Sequence, residues 1–378
     1  MKASSGEHYI ALDHVRAVAC FMVFTWHFTH GMAGHPIPFE YVPAFFPFSL
    51  IDEGHTGVAL FMTLSGYLFA KLLDGRAVRY GRFLCNRALR LVPLLALVIL
   101  IVGIQLGIHG EPLGSYLNAV LWGLVFPTLP NGGWSITVEL HFYLVLPLLL
   151  WLLGRSRWLP VLIVLGALAL RVLLYQERGE IQSLAYGTIV GRIDQFVLGM
   201  VMYHFRRSLA HRHVAVALTL ITFAVYYWFF DLQGGFYRNP SYPSPSPLWI
   251  AHTTIEALAY AIAIAWYDSS FAPSNRGASR FLGLIGTYSY SIYLLHFFFV
   301  FDASRFVHQH VMDISNFYLA CIWSIGCFLL MVPIGHLSFR LVESPFLKLR
   351  QRYTAERTAA GSAPGPPAPS TTPRLGTD

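Results

Sequence analysis

The chain has 378 residues, of which 55% are hydrophobic and only 12% charged, with a mean hydropathy of +0.53. A soluble domain carries roughly 25% charged residues, so this composition excludes a soluble fold and indicates a membrane protein. The formal net charge of +7 argues little for a nucleic-acid partner, because the basic residues fall into loops at intervals and no basic, aromatic-interleaved motif is present.

The apolar runs predict an all-α protein, a polytopic transmembrane bundle of about ten helices. They lie near residues 10–30, 56–73, 88–108, 137–153, 158–175, 188–205, 213–230, 249–267, 284–300 and 317–337. Several are shorter than the roughly 20 residues that a straight span prefers, which implies tilt or local thinning of the bilayer. The stretch 114–128, followed closely by Pro130 and itself containing Pro127, reads as a re-entrant or interfacial piece.

The first helix carries the most informative residues. Asp13, Arg16, Cys20 and His27 are spaced 3, 4 and 7 apart, which returns them to one helix face. Ionisable groups at membrane depth cost roughly 2.5–3.5 kcal/mol on insertion scales for Asp, Lys or Arg, so they usually have a task. Asp13 is expected to pair with Arg16. The second helix opens with Gly57 and contains Ser65-Gly66-Tyr67, where glycines allow close approach of a helix or a ligand. Arg87 and Arg90 stand one turn apart where the loop enters the third helix; their guanidinium groups suit phosphates or anchor headgroups. Gly132-Gly133-Trp134 marks an interfacial turn, after which Ser135, Glu139 and Tyr143 share a face. Glu139 is either functional at membrane depth or a carboxylate that caps the helix start. Arg192 and Asp194 open the sixth helix, as ion-pair partners for other helices or as substrate contacts. On the ninth helix Ser289, Tyr293 and His296 share a face, with His296 read first as a hydrogen-bonded packing residue. Glu343, after the last helix, is expected to pair with an inner-loop Arg.

Arg-rich loops after the second, fourth, sixth and eighth helices alternate with nearly bare ones; residues 31–55 and 109–136 contain no Lys or Arg. The positive-inside rule then places both termini in the cytoplasm. Cys20, Cys85, Cys321 and Cys327 have no metal-type spacing and read as buried free thiols, and no metal site is expected. No cleavable signal pattern stands out, so the first helix is expected to remain. The domain reading is a transmembrane unit over 1–350 and a disordered cytoplasmic tail over 351–378, whose Ala, Pro, Ser, Thr and Gly content carries no core.

In this order the motifs resemble the integral-membrane acyltransferase 3 family: Leu12-Asp13-His14-Val15-Arg16-Ala17 followed by His27, then Ser65-Gly66-Tyr67, Arg90 to Pro93, Trp134-Ser135 to Glu139 and Phe142-Tyr143, Tyr288-Ser289-Tyr290 to His296, and Glu343 to Phe346. Two departures are His14 for the usual Gly, and Asn86 where a paired Arg often precedes Arg87. The resemblance implies a membrane enzyme of the bacterial cytoplasmic membrane. It would move an acyl group, commonly acetyl, from cytoplasmic acyl-CoA to a hydroxyl of a carbohydrate or natural-product acceptor, with glycan-assembly proteins as candidate partners. On that basis His27 and Glu139 are the expected catalytic residues. Arg16, Arg87, Arg90 and Ser65 would bind the donor; Trp134, Tyr143 and His296 would contact the acceptor; Asp13, Arg192, Asp194 and Glu343 would be structural polar residues. His27 would act as general base or as acyl carrier. The competing class is a transporter or proton-coupled channel using the same buried groups as a relay, against which stands the absence of an internal repeat.

Overall fold

Ten helices of seventeen residues or more dominate the described residues, 9–31 and 34–356 of the computed structural model. They are α1 (Ile10–Thr29), α2 (Gly57–Leu73), α3 (Tyr80–Ile108), α4 (Trp134–Arg155), α5 (Val161–Arg178), α6 (Ile189–Leu209), α7 (His213–Leu232), α8 (Leu248–Ser270), α9 (Gly277–Leu295) and α10 (Phe317–Ser338). The protein is an all-helical integral membrane protein. Seven of the ten, α2, α3, α4, α7, α8, α9 and α10, are long and apolar enough to cross a membrane by themselves. The other three, α1, α5 and α6, carry polar residues that lower their hydropathy. In α1 and α6 these residues are enclosed by other helices: Asp13 and His14 of α1 and Arg192, Asp194 and Gln195 of α6 are all buried. Apolar side chains of α3, α4 and α7, such as Leu100, Leu148 and Leu218, instead remain exposed on the outer surface of the bundle, the distribution that lipid contact requires.

The third helix begins at Tyr80, eight residues before the apolar run at 88, because Arg82, Arg87 and Arg90 mask its start in hydropathy. Arg87 and Arg90 are therefore inside the helix, about two turns in, rather than at its entrance. Residues 114–128 hold a ten-residue helix, Leu113–Trp122, lying against α3. Of the expected tail, residues 357–378 lie outside the described residues. Residues 351–356 are docked: Thr354–Glu356 pairs antiparallel with Arg76–Val78, and Tyr353 is buried against Phe83. Asn86 contributes to this docking, since its Nδ2 donates to the Gln351 carbonyl (2.6 Å) and its Oδ1 accepts from the Gln351 N–H (3.1 Å). His14 ties α1 to two other elements. Its Nδ1 meets the Tyr267 hydroxyl at 2.8 Å and its Nε2 meets the Ser279 carbonyl at 2.7 Å. All four cysteines are free, with Cys85 exposed and the other three buried.

Where helices cross, glycine sets the spacing. α6 packs on α2 and α8, and α1 packs on α2 and α9. A Cβ added at Gly66 of α2 would lie 2.0 Å from the Phe196 carbonyl oxygen of α6, and one at Gly199 of α6 would lie 2.1 Å from the Thr63 carbonyl oxygen of α2. The two backbones touch in both directions, a contact only glycine allows. Gly66→Ala should therefore lower the melting temperature of the detergent-solubilised protein, by an amount corresponding to at least the ~1–3 kcal/mol of an overpacked core. Gly166→Ala on α5, whose added Cβ meets nothing within 4 Å, should leave it near wild type; equal midpoints for the two variants would contradict the crossing.

Candidate functional site: two cavities meeting at Val58 and Tyr293

Two cavities lie side by side in the bundle. The first gathers Arg16 of α1, Ser65 of α2, Arg87 and Arg90 of α3 and Glu139 of α4. Ser135, Ser289 and Tyr293, also singled out from sequence, line it too. Apolar Phe61, Met62 and Leu68 contribute as well, so the cavity combines cationic and apolar groups. Arg16 is ion-paired with Asp13 one turn away. Arg87 lies over the Phe69 and Phe83 rings (5.3 and 5.5 Å to the centroids), and its Nε is buried without a hydrogen-bond partner. The Tyr143 hydroxyl donates to Glu139, so Tyr143 braces the carboxylate from within the core instead of lining a cavity. Glu139 stands on the arginine side and does not line the cavity that contains His27.

Arg350 adds a charge here that sequence reading did not single out. Its Nε and Nη2 are buried without hydrogen-bond partners, and burial together with the neighbouring Arg90 and Arg87 charges pushes its guanidinium down to about 9. The docking of residues 351–356 by Asn86 holds Arg350 in place. Asn86 thus stands in for an arginine in sequence while anchoring a segment that supplies one in space.

The second cavity is lined by aromatic rings and imidazoles: Trp26, His27, His55, Trp134, Tyr186 and Tyr237 among others. Trp26 stacks on Tyr237 (6.0 Å, 10° between planes), and Trp134 tilts against Tyr186 at 4.9 Å. The hydrogen bonds around His27 define its tautomer. Its Nδ1 lies 2.9 Å from the Val23 carbonyl, which only accepts, so Nδ1 carries the proton. His296 Nδ1 lies 2.6 Å from the Tyr293 carbonyl, so its Nε2 is an acceptor, and it sits 3.2 Å from His27 Nδ1. His27 Nε2 is consequently the unprotonated nitrogen, with no hydrogen bond among the described residues. His296 is buried behind His27 and lines neither cavity; it orients the ring.

The cavities share Val58 and Tyr293. The Tyr293 hydroxyl donates to the Gly132 carbonyl (3.2 Å), and Gly132, at φ +76°, leaves no room for a side chain against that ring. Gly132 is therefore the seat of the partition.

Below the aromatic cavity runs a buried polar network. Arg192 donates through Nε to the Tyr186 carbonyl (2.7 Å), lies 3.5 Å from Glu256 Oε2, and stacks on the Tyr186 ring at 4.4 Å. Glu256 also accepts from Gln195 (3.0 Å), Thr56 (2.6 Å) and Tyr227 (2.5 Å). Asp194 is ion-paired with Arg171 of α5, fully buried. Arg192 and Asp194 thus pair with other helices and not with each other. Glu343 accepts from Ser291, and no ion pair joins it to an Arg among the described residues. Arg171, Glu256, His252 and His55 escaped the sequence reading, although the rule that singled out His27, an ionisable residue inside an apolar run, applies to Arg171 and Glu256 equally. Among the described residues no group of three or more His, Cys, Asp or Glu is arranged to hold a metal ion.

Removing one partner of a buried ion pair costs about 3–5 kcal/mol, because the other charge is left uncompensated. Arg171→Met should accordingly destabilise the solubilised protein strongly, and Arg171→Met combined with Asp194→Asn should recover part of the loss. A purely additive double mutant in thermal unfolding would show that the two groups are not coupled.

The family model described as an acyltransferase domain matches residues 9–334, which includes every residue of both cavities. Among curated proteins, the chain is 24% identical to the peptidoglycan O-acetyltransferase OatA of Listeria monocytogenes, covering 91% of this chain and 56% of that protein. It is 25% identical to BcsY of Komagataeibacter xylinus, provisionally named a membrane-bound transacylase, covering 83% and 81% respectively. It is also 24% identical to YrhL of Bacillus subtilis, provisionally named a peptidoglycan O-acetyltransferase, covering 88% and 54%. The chain spans about half the length of OatA and YrhL. No solved structure matches.

Proposed function

The chain belongs to the acyltransferase 3 family of integral-membrane enzymes, which transfer groups other than amino-acyl groups, and from that premise we propose that it is an O-acyltransferase moving an acyl group, acetyl in the simplest case, from acyl-CoA to a carbohydrate hydroxyl. The observation that carries this reading is the meeting of two chemically unlike cavities at Val58 and Tyr293. One suits a polyanion with a long apolar arm. The other suits a sugar, whose faces pack on aromatic rings and whose hydroxyls need polar partners.

In this reading Arg87 and Arg90, with Arg350 beside them, hold the phosphates of the donor through charge-assisted hydrogen bonds. The acyl arm follows the apolar wall past Arg16 and Ser65, which are the donors available to a developing oxyanion. Glu139 acts from the donor side, where its carboxylate would accept from an amide N–H of the arm. His27 Nε2 takes the proton of the attacking hydroxyl. The new C–O bond forms, the C–S bond breaks, and the proton passes from Nε2 to the leaving thiolate. Nδ1–H stays bonded to Val23, so the Val23 carbonyl and the His296 nitrogen stabilise the imidazolium while it exists. Attack by Nε2 on the thioester itself, giving an acyl-imidazole, uses the same tautomer. In this reading the arginine side faces the cytoplasm, where acyl-CoA is found, and the aromatic side faces outward across a bacterial inner membrane, in keeping with the positive-inside rule. The similarity to OatA, a peptidoglycan O-acetyltransferase, supports a peptidoglycan-like glycan as the acceptor class.

Release of free thiol from acetyl-CoA by the purified protein in the presence of a glycan acceptor tests the reaction class; a transporter would release none. Arg87→Ala with Arg90→Ala should weaken acetyl-CoA binding by about 1.5–3 kcal/mol per lost charged hydrogen bond, and raised salt should mimic part of the defect. An unchanged dissociation constant in the double variant would move the donor site elsewhere.

His27→Ala should slow transfer roughly 10²–10⁴-fold, the contribution of a general base, while acetyl-CoA binding stays close to wild type. Near-normal turnover by folded His27→Ala protein would remove it from the mechanism. An acyl group trapped on wild-type protein without acceptor, and absent from the variant, would select the covalent route.

A further inference from the structure

The aromatic cavity contains a second imidazole whose surroundings differ from those of His27. His55 follows a short helix, Ser49–Asp52, and sits in the turn Gly54–Thr56 that leads into α2. It is 1% exposed and lines the same cavity as His27. Its ring packs on Trp26 (5.5 Å), Tyr186 (5.5 Å) and Phe236 (4.6 Å). Its Nε2 lies 2.9 Å from Glu53 Oε2, yet that oxygen stands off the N–H direction, and neither ring nitrogen has an aligned hydrogen-bond partner.

Glu53 is fixed from its other side. Its Oε1 accepts from the Phe236 N–H (3.1 Å), and Gly235, at φ +57°, admits the carboxylate so closely that a Cβ there would lie 1.7 Å from Oε1. The loop that brings Phe236, Tyr237 and Tyr242 to the cavity is thereby clamped to the residue that faces His55. A buried imidazole with two unsatisfied nitrogens, on a cavity wall, is an arrangement that a ligand completes.

We propose that Glu53 and His55 form the acceptor-positioning pair of the aromatic cavity: when the sugar is bound, a small rotation of the ring aligns Nε2–H with Glu53 Oε2, 2.9 Å away, and Nδ1 accepts a hydrogen bond from a hydroxyl of the bound sugar other than the one that His27 deprotonates. This rests on the reading of that cavity as a carbohydrate site. It divides labour between two imidazoles. His27, backed by a neutral His296, acts on the reacting hydroxyl; His55, backed by a carboxylate, fixes which hydroxyl that is. The pair transfers no proton in the reaction, so its loss acts on acceptor binding and regiochemistry and not on the donor.

The test uses the full chain in detergent, with acetyl-CoA as donor and chitotetraose and cellotetraose as acceptor probes, read as thiol release. His55→Leu should raise the KM for the oligosaccharide about 10- to 100-fold, the cost of one buried hydrogen bond, with the dissociation constant of acetyl-CoA unchanged. His55→Gln, which keeps a polar group between Glu53 and the cavity, should recover part of the loss, and Glu53→Gln should resemble the weaker defect. Mass analysis of the products should show a broader set of acetylated positions in His55→Leu. A merely structural role would move melting temperature, donor affinity and acceptor KM together, without rescue by Gln, and would overturn the proposal. If Trp134→Leu raises the acceptor KM and His55→Leu does not, the cavity reading stands and this pair is excluded. If wild-type protein releases no more thiol with either oligosaccharide than without, the carbohydrate reading itself fails and the proposal falls with it.

Discussion

Charge inside a bundle that must sit in lipid is tolerated only where it is matched, and that constraint organises this molecule. Arg171 meets Asp194, Arg192 meets Glu256, Arg16 meets Asp13, and Lys71 meets Asp268 at 2.6 Å. Each pair except the Asp13–Arg16 turn joins two different helices, so the matching fixes helix order and rotation as well as satisfying charge. Matching is not complete everywhere, since Arg171, Arg192, Asp194 and Glu343 each keep one buried polar atom without a partner. Among the unsatisfied atoms, both nitrogens of His55 belong to a residue that lines the aromatic cavity, and the Nε of Arg87 to one that lines the cationic cavity.

α1 is the element on which both cavities depend. It offers Arg16 to one and Trp26 and His27 to the other, and it is held on either side by backbone contacts that glycine permits. A Cβ at Gly286 of α9 would fall 1.8 Å from the Asp13 carbonyl oxygen, and one at Gly57 of α2 would fall 2.5 Å from that of Ala19. Such contacts have no slack. A helix seated this tightly holds His27 at a fixed height between His296 and the aromatic wall, which is what a positioned base requires. The α2–α6 crossing at Gly66 and Gly199 extends the same rigidity to Ser65 and Val58, and so to the partition itself.

The sequence made much of this legible, for identifiable reasons. Helix positions follow from hydropathy because lipid contact demands it; Arg16, Arg87, Arg90 and Glu139 stood out because charged groups are rare in or beside such runs, and Ser65 through the family resemblance. Periodicity says which residues share a face, but not which face meets which. It could place Glu139 and Tyr143 together, yet could not show that Tyr143 points into the core to brace the carboxylate, or that Glu139 joins the arginines and not His27. Arg350 was hidden because its place depends on the contact of Asn86 with the adjacent Gln351, across 265 residues of chain. The aromatic cavity was hidden more deeply, since Phe236, Tyr237 and Tyr242 come from an irregular loop with no periodicity to read, and His55 from a single turn before α2.

The partition explains why two cavities serve better than one. A thioester exposed to water with a competent base beside it would be hydrolysed, so an acyltransferase must bring base and thioester together only when the acceptor hydroxyl is in place. On the proposed function, the base His27 lies among aromatic rings on one side and the cationic channel on the other, with Val58 and Tyr293 between them. The Tyr293 ring is held through its hydroxyl to Gly132, at the start of the same turn that presents Trp134. In that reading, a sugar packing on Trp134 would rest on the same turn that seats Tyr293, so that one element would hold both the acceptor and the partition.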